Sequence, residues 1–141
     1  MNTLASLVSL SALSLSLVCG AAQAGELHVE VKGLTEIKGD LLVAVFNQKG
    51  QWLKQASVNR KLGVTQAVLS VQFDNLPEGE YAVSVFHDLN SNGKLDSNAV
   101  GMPTEPYGFS NNAAGNFGPP SFDAAKIKLD QSKTAISIRV N

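Results

Sequence analysis

The segment LPEGEYAVSVF, residues 76–86, decides the fold class. Its first part contains Pro77 and Gly79, which reverse a chain at low cost because proline presets φ and glycine tolerates positive φ. The residues that follow alternate, so that Tyr81, Val83 and Val85 share one face of an extended strand. A turn followed by period-two alternation is typical of an antiparallel hairpin, and the segment therefore predicts a β protein.

The same pattern recurs along the chain and predicts about seven strands. The first includes residues 27–31, and the second, 40–46, is apolar on both faces as expected of a central strand. The others are predicted at residues 57–61, 67–73, 80–86, 126–129 and 135–140. Only residues 52–56 suggest a short helical turn. Short strands at this spacing predict an all-β fold, an antiparallel β-sandwich of the immunoglobulin-like or transthyretin-like kind.

The first 24 residues have the pattern of an export signal. An uncharged apolar run over residues 4–18 is shorter than the roughly 20 residues that cross a bilayer, and Ala22-Gln23-Ala24 fits a small-x-small cleavage site. No lysine or arginine precedes the run, which departs from the usual pattern. We expect residues 1–24 to be a signal peptide, residues 25–141 to form one domain, and the protein to be periplasmic or secreted in a bacterium.

Cysteine and charge content exclude several classes of protein. Cys19 lies within the predicted signal, and the residues before it do not fit a lipid-modified cysteine, so neither disulfides nor a lipid anchor are expected. The 11 Lys and Arg residues nearly balance the 12 Asp and Glu residues and form no basic run. Nucleic acid is therefore not an expected partner, and no later apolar stretch is long enough to span a membrane.

The segment DLNSNGKLD, residues 88–96, is the strongest candidate site. Oxygen-bearing side chains occupy its first, third, fifth and ninth places, with a glycine at the sixth. This spacing lets a loop surround Ca²⁺, which takes six to eight oxygens at about 2.3–2.6 Å. The predicted Ca²⁺ ligands are the side chains of Asp88, Asn90, Asn92 and Asp96 and the backbone carbonyl of Lys94.

Two features of this loop predict weak binding. The twelfth place, where a bidentate glutamate is expected, holds Ala99, and the loop contains only two carboxylates. We therefore expect a dissociation constant of about 10⁻⁴–10⁻³ M, with Leu95 anchoring the loop to the core. The alternative is a turn held by hydrogen bonds from its own Asn and Asp side chains to the backbone.

The residues around this loop resemble a known family. The motifs are His87-Asp88, Asn90-x-Asn92-Gly93-Lys94-Leu95-Asp96, Gly101-Met102-Pro103, YGFSNN at 107–112 and FGPPSF at 117–122. They resemble the bacterial domain of unknown function 2141, a family of small exported proteins of one domain. The resemblance implies export and a β-sandwich, and it supplies no catalytic residues.

The region 98–122 is rich in Gly, Pro and Asn, yet it carries several aromatic residues. Aromatic content argues against disorder. The second face of strands 40–46 and 80–86 is apolar and would be exposed to solvent in a two-layer sandwich. We therefore expect one long ordered loop that folds back over this face and buries Phe109 and Phe117.

The remaining candidates favour packing over chemistry. His87 is expected at the margin of the core and His28 on a solvated face, while Trp52, Tyr107 and Phe109 are expected to pack rather than form a platform for sugars or peptides. No nucleophile elbow, phosphate loop or paired-histidine zinc motif is present in the sequence.

The most favoured function is a non-catalytic, exported module of the cell envelope that binds a small ligand or another protein, with Ca²⁺ as its only expected cofactor. Two alternatives stay open. One is a hydrolase-like envelope enzyme that uses His87 and Asp88. The other is a structural or assembly module that pairs through the edge of a sheet.

Overall fold

The structure is a computed structural model that describes residues 24–141, which form eight strands. The strands are β1 (Ala24–Lys32), β2 (Asp40–Phe46), β3 (Val58–Gly63), β4 (Leu69–Pro77), β5 (Gly79–Asp88), β6 (Tyr107–Phe109), β7 (Ile127–Leu129) and β8 (Lys133–Arg139). A short helix, α1 (Phe122–Ala125), and two 3₁₀ turns, Lys49–Gln51 and Ser110–Asn112, complete the elements. Within this range no helix has the length and apolar character needed to cross a bilayer.

The predicted signal peptide and Cys19 lie outside the described residues, apart from Ala24, which begins β1.

The strands form two sheets. One has the order β4-β1-β8, and the other has the order β3-β2-β5-β6, with β7 also paired to β5. All pairs are antiparallel except β1 with β8, which run parallel. The predicted all-β sandwich is confirmed, with this one parallel pair. The strand that the sequence did not predict, β6, lies in the region expected to be loop.

The main core lies between the two sheets and follows the predicted alternation. Fully or almost fully buried side chains come from every second position of β1, β2, β4, β5 and β8: Leu27, Val29, Val31, Leu41, Val43, Val45, Val71, Phe73, Val83, Val85 and Ile138. Each such side chain contributes about 1.5–3 kcal/mol on burial. A one-residue slip in register would move a whole set to the solvent face, so burial fixes the pairing.

A second, smaller core lies on the outer face of β2 and β5. Its buried members are Phe46, Ala82, Phe109, Phe122 and Ala125. The expectation that the long loop folds back over this face is thus confirmed for Phe109, which is 7% exposed. It is wrong for Phe117, which is fully exposed and has a left-handed backbone with φ of 57°.

The loops that carry the candidate site meet at one end of the sandwich. The amide of Val64 donates to the carbonyl of Gly39 (3.0 Å), and the carbonyl of Lys38 lies 2.7 Å from Nε2 of His87. Asp40 and Asp88 pair across β2 and β5 at the same end. These contacts therefore hold the start of the 88–106 segment in place at one end of the sandwich.

Candidate functional site

Asp88, the last residue of β5, is the fixed point of the candidate metal loop. Its side chain is fully buried. Oδ1 accepts a hydrogen bond from the amide of Asn92 (3.1 Å), and Oδ2 accepts one from the amide of Gly93 (2.7 Å). The buried carboxylate therefore folds the following turn around itself, as expected for an Asp at the first place of such a loop.

The next three predicted ligands interlock with one another. The side-chain nitrogen of Asn90 donates to Oδ2 of Asp96 (2.6 Å), and that of Asn92 donates to both oxygens of Asp96 (2.9 and 3.0 Å). These bonds, with Asn92 as the larger cause and Asn90 as the next, hold the pKa of Asp96 below its ordinary value. The structure thus brings Asn90, Asn92 and Asp96 together.

The side-chain oxygens of the two asparagines face the backbone of the same turn. Oδ1 of Asn90 accepts from the amide of Asn92 (3.1 Å), and Oδ1 of Asn92 accepts from the amide of Lys94 (2.9 Å). These contacts are those of the alternative prediction, a turn held by its own Asn and Asp side chains. In residues 24–141 no cluster of three or more His, Cys, Asp or Glu side chains is placed to hold a metal ion.

The anchor of the loop is Glu105, which the sequence analysis missed. Glu105 is only 6% exposed, and its carboxylate accepts hydrogen bonds from the amides of Leu89 (2.8 Å) and Asp96 (2.9 Å). The prediction that Leu95 anchors the loop to the core is wrong, since Leu95 is 36% exposed. The turn is held from inside by a carboxylate rather than by an apolar contact. A sequence signal for this role is the position of Glu105 between Pro103 and Pro106, which limit the backbone freedom of the returning chain.

His87 lies at the margin of the core as predicted, and its ring is fully buried. Nε2 of His87 contacts the carbonyl of Lys38 and therefore donates a hydrogen bond to it. Nδ1 has no hydrogen-bond partner in the described residues. The enzyme hypothesis required an accessible His87 that bonds a second polar side chain, and this geometry provides neither. His28 is half-buried on the polar face of β1, 3.4 Å from Glu26.

The aromatic residues considered as a platform pack together instead. The Trp52 ring centre lies 5.0 Å from that of Phe46 and 5.8 Å from that of Phe109, and Tyr107 lies 5.8 Å from Phe109. The indole N–H of Trp52 donates to the carbonyl of Pro120 (2.8 Å). These contacts fasten the long loop to the outer face of the sheet.

One strand relevant to the assembly hypothesis lies at a sheet edge. β4, nine residues long, is the end strand of its sheet and pairs with β1 alone among the described strands. Such an edge presents backbone groups that another strand can pair with.

These features define an all-β sandwich whose fifth and sixth strands are joined by a long ordered segment rich in Asn, Gly and Pro. A family model described as "Uncharacterized protein conserved in bacteria (DUF2141)" matches residues 29–137. Since that match covers most of the 141 residues, the chain belongs to this family, and the resemblance seen in its motifs is confirmed. No curated protein and no solved structure matches the chain.

Proposed function

We propose that this protein is a non-catalytic binding module of the bacterial cell envelope, periplasmic or secreted, whose 88–105 segment binds Ca²⁺. The ion stabilises the loop end of the sandwich, and the module binds a small ligand or another envelope protein. The observation that carries the calcium proposal is that the carboxylates of Asp88, Asp96 and Glu105 all hold the same turn.

The charge of this turn supports a cation. Among the described residues, none of these three carboxylates makes an ion pair with a lysine, arginine or histidine. Like charges held in one loop repel, and a divalent cation relieves this repulsion. Asp88 and Glu105 are also buried, where the repulsion is less screened than at the surface.

The proposed ligands are the side chains of Asp88, Asn90, Asn92 and Asp96, the carbonyl of Lys94 and the carboxylate of Glu105. Glu105 supplies the bidentate carboxylate that is expected at the twelfth place of such a loop, where this chain has Ala99. Among the described residues the three carboxylates are not placed as a cluster that could hold a metal ion. Binding therefore requires the carboxylates to come closer together, and the amide nitrogens of Asn90 and Asn92 to leave Asp96 so that oxygens face the ion. The cost of this rearrangement is consistent with the weak affinity expected for the loop.

Thermal unfolding with Ca²⁺, with Mg²⁺ and with a chelator tests this proposal. At ten times the dissociation constant, Ca²⁺ stabilises the fold by about 1.4 kcal/mol. Asp96→Asn should abolish the shift. Asp74→Asn is the matched control, because Asp74 is exposed on β4 and bonds Gln72 (2.5 Å). Absence of a shift at millimolar Ca²⁺ refutes calcium binding, and an equal shift with Mg²⁺ refutes selectivity of the loop for Ca²⁺.

The free edge of β4 supports a second candidate, an assembly module that adds a strand of another envelope protein to this sheet. The outward side chains Ser70, Gln72 and Asp74 are polar, so backbone hydrogen bonds rather than apolar burial would supply the affinity. Hydrogen exchange of the β4 amides, measured with and without an extract of envelope proteins, tests this candidate. New protection confined to β4 supports it, and unchanged exchange refutes it.

A further inference from the structure

A groove of about 560 Å³ lies at one end of the sheet formed by β4, β1 and β8. It lies between the loop that follows β1 and the residues that precede β4. None of its lining residues belongs to the proposed calcium segment. Sites for small ligands usually have volumes of about 300–1,000 Å³. The groove is therefore a separate surface with room for a small molecule.

Backbone hydrogen bonds hold the walls of this groove in place. The amide of Val140 donates to the carbonyl of Lys32 (2.9 Å), and the amide of Val64 donates to the carbonyl of Gly39 (3.0 Å). Gly33 has φ of 90°, and a Cβ there would lie 2.5 Å from the carbonyl oxygen of Val140. The loop after β1 thus turns directly against the chain that leaves β8. Because the walls are already ordered, a ligand does not have to order them.

The lining of the groove is largely apolar. Leu34 lines it yet is only 2% exposed and belongs to the main core, so the core closes the bottom of the groove. Ile37 and Val68 are 53% and 42% exposed and line the same groove. Single exposed apolar side chains are normal on a protein surface, but here two of them face one depression above the core. A ligand that covers both removes apolar surface from water.

Two cationic residues lie at the same place. Lys32 and Arg139 are register partners in the parallel pair of β1 and β8, and both line the groove. A Cβ on Gly33 would lie 3.5 Å from Cγ of Arg139, so the arginine side chain extends beside the loop wall. No Asp or Glu is among the lining residues. The groove therefore combines apolar walls with positive charge.

The positive charge of Arg139 is not neutralised by the protein. The two acidic residues near the loop already have partners, since Glu30 pairs with Lys32 (2.8 Å) and Glu36 pairs with Lys38 (2.6 Å). Arg139 is exposed and makes no ion pair with a carboxylate in residues 24–141. A guanidinium recognises a carboxylate through two parallel hydrogen bonds. The groove thus complements an anion that is attached to an apolar body.

We propose that this groove binds a fatty acid of medium chain length. The carboxylate pairs with Arg139, and the acyl chain covers Ile37 and Val68. A small anion would leave the apolar walls exposed, an uncharged apolar molecule would leave the guanidinium without a partner, and a cationic amphiphile would be repelled. This names a ligand for the binding module proposed above and rests on that proposal, but not on calcium.

An NMR titration of backbone amides with octanoate, octylammonium and acetate, in the presence of a chelator, tests the assignment. We expect octanoate to shift the amides of Gly33, Thr35 and Val68 at millimolar concentration. Octylammonium has the same chain with the opposite charge, and acetate has the carboxylate without the chain, so both should bind at least about threefold more weakly. The proposal is overturned if octanoate shifts no groove amide, or if either of the other two binds as well.

A dilution series without ligand tests whether the groove is covered by a second copy of this chain. If the amides of Gly33 and Val68 shift with protein concentration, the groove is an interface between copies, and the fatty-acid proposal is overturned. Shifts that do not depend on protein concentration support a groove that is open to a small ligand.

One variant tests the contact with the acyl chain. Ile37→Thr keeps the branched shape but replaces apolar surface by a hydroxyl, and octanoate should bind about three- to tenfold more weakly. The fold should be retained because Ile37 is half exposed. Val100→Thr is the matched control, because Val100 is 82% exposed and does not line the groove. Equal affinity in the two variants shows that the chain does not lie over Ile37 and overturns the proposed arrangement.

A second variant tests the contact with the carboxylate. Arg139→Gln should weaken octanoate binding and remove most of the preference for octanoate over octylammonium. Lys54→Gln is the control, because Lys54 is exposed, lies outside the groove and makes no ion pair among the described residues. It removes the same net charge and should leave the preference unchanged. A preference that survives in Arg139→Gln overturns the pairing.

The fatty-acid and calcium proposals are judged apart, because the melting shift with Ca²⁺ is measured without octanoate and the titrations contain a chelator. If octanoate does not bind, the fatty-acid proposal fails whether or not Ca²⁺ raises the melting temperature. If Ca²⁺ gives no shift while octanoate binds, the calcium proposal fails and the fatty-acid proposal is retained.

Discussion

Glu105 holds the backbone amide of Asp96, with Oε2 2.9 Å from the nitrogen. Its other oxygen accepts from the amide of Leu89 (2.8 Å), so one buried carboxylate pins both ends of the turn to the returning chain. A buried carboxylate is costly to place in a protein unless it is hydrogen-bonded, and here two amides stabilise it. Hydrogen bonds within the protein thus order the loop end of the sandwich without a bound ion.

The first prediction concerns this contact. Glu105→Ala leaves two amides without an acceptor and should lower the free energy of unfolding by about 1.5–3 kcal/mol, whereas Glu105→Gln keeps one acceptor and should lose less. Urea unfolding followed by Trp52 fluorescence measures the loss. Glu36→Ala is the control, because Glu36 forms an exposed ion pair with Lys38 (2.6 Å) and should change stability by no more than about 0.5 kcal/mol. Equal losses in the two alanine variants contradict the anchoring role.

The second prediction compares two glycines at the ends of the same region. Gly39 and Gly93 are both left-handed, with φ of 68° and 80°. A Cβ at Gly39 would lie 2.1 Å from the carbonyl oxygen of Asp88, while one at Gly93 would meet open space. Gly93→Ala should therefore cost about 1 kcal/mol from backbone strain alone, and Gly39→Ala clearly more, because β2 and β5 must also separate. Equal midpoints of urea unfolding for the two variants would contradict this account.

The sandwich could be predicted because its signal is local. Alternation over residues 27–31 and 81–85 identifies the buried face within the strand itself, and both sets are buried as expected. The three residues of β6 are too few to show a period, so this strand could not be recognised. The parallel pairing of β1 with β8 joins distant parts of the chain and has no local signature.

The candidate site shows the same limit. The spacing of Asp88, Asn90, Asn92 and Asp96 predicted that these side chains converge on one turn, and hydrogen bonds join them there. Glu105 acts from nine residues beyond Asp96, and its role depends on how the segment between them folds back. The direction of Phe117 depends on the sign of one backbone angle, which composition does not determine.

The third prediction concerns Ser110, which lies between the two halves of the long loop. Its hydroxyl accepts a hydrogen bond from the amide of Val83 and donates one to the carbonyl of Ala125, and both bonds are buried. Ser110→Ala leaves both groups without a partner and should lower the free energy of unfolding by about 1–3 kcal/mol. Ser70→Ala, on the solvent face of β4, is the control and should change stability by less than about 0.5 kcal/mol. A loss in Ser110→Ala no larger than in the control would show that the hydroxyl is dispensable.

The fourth prediction concerns pH and the ion pairs of Asp123, at the start of α1. Its carboxylate bonds Lys49 and lies 3.8 Å from Nζ of Lys126. The hydrogen bond from Lys49, and then the charges of both lysines, hold the pKa of Asp123 below its ordinary 3.8. The folded pKa is thus lower than the unfolded one, so these contacts stabilise the fold above about pH 4, and their contribution is lost as the pH falls through the folded pKa.

Asp123→Asn should therefore be less stable than the parent at pH 7, and the gap should close as the pH is lowered below 3.8. The effect is small and decreases with added salt, because both partners are exposed. Urea midpoints of the two proteins from neutral to acid pH, read by Trp52 fluorescence, measure the gap. Asp74→Asn serves as control, because Asp74 forms no ion pair among the described residues. A gap that stays constant across this range would mean that the lysines do not stabilise the folded state through Asp123.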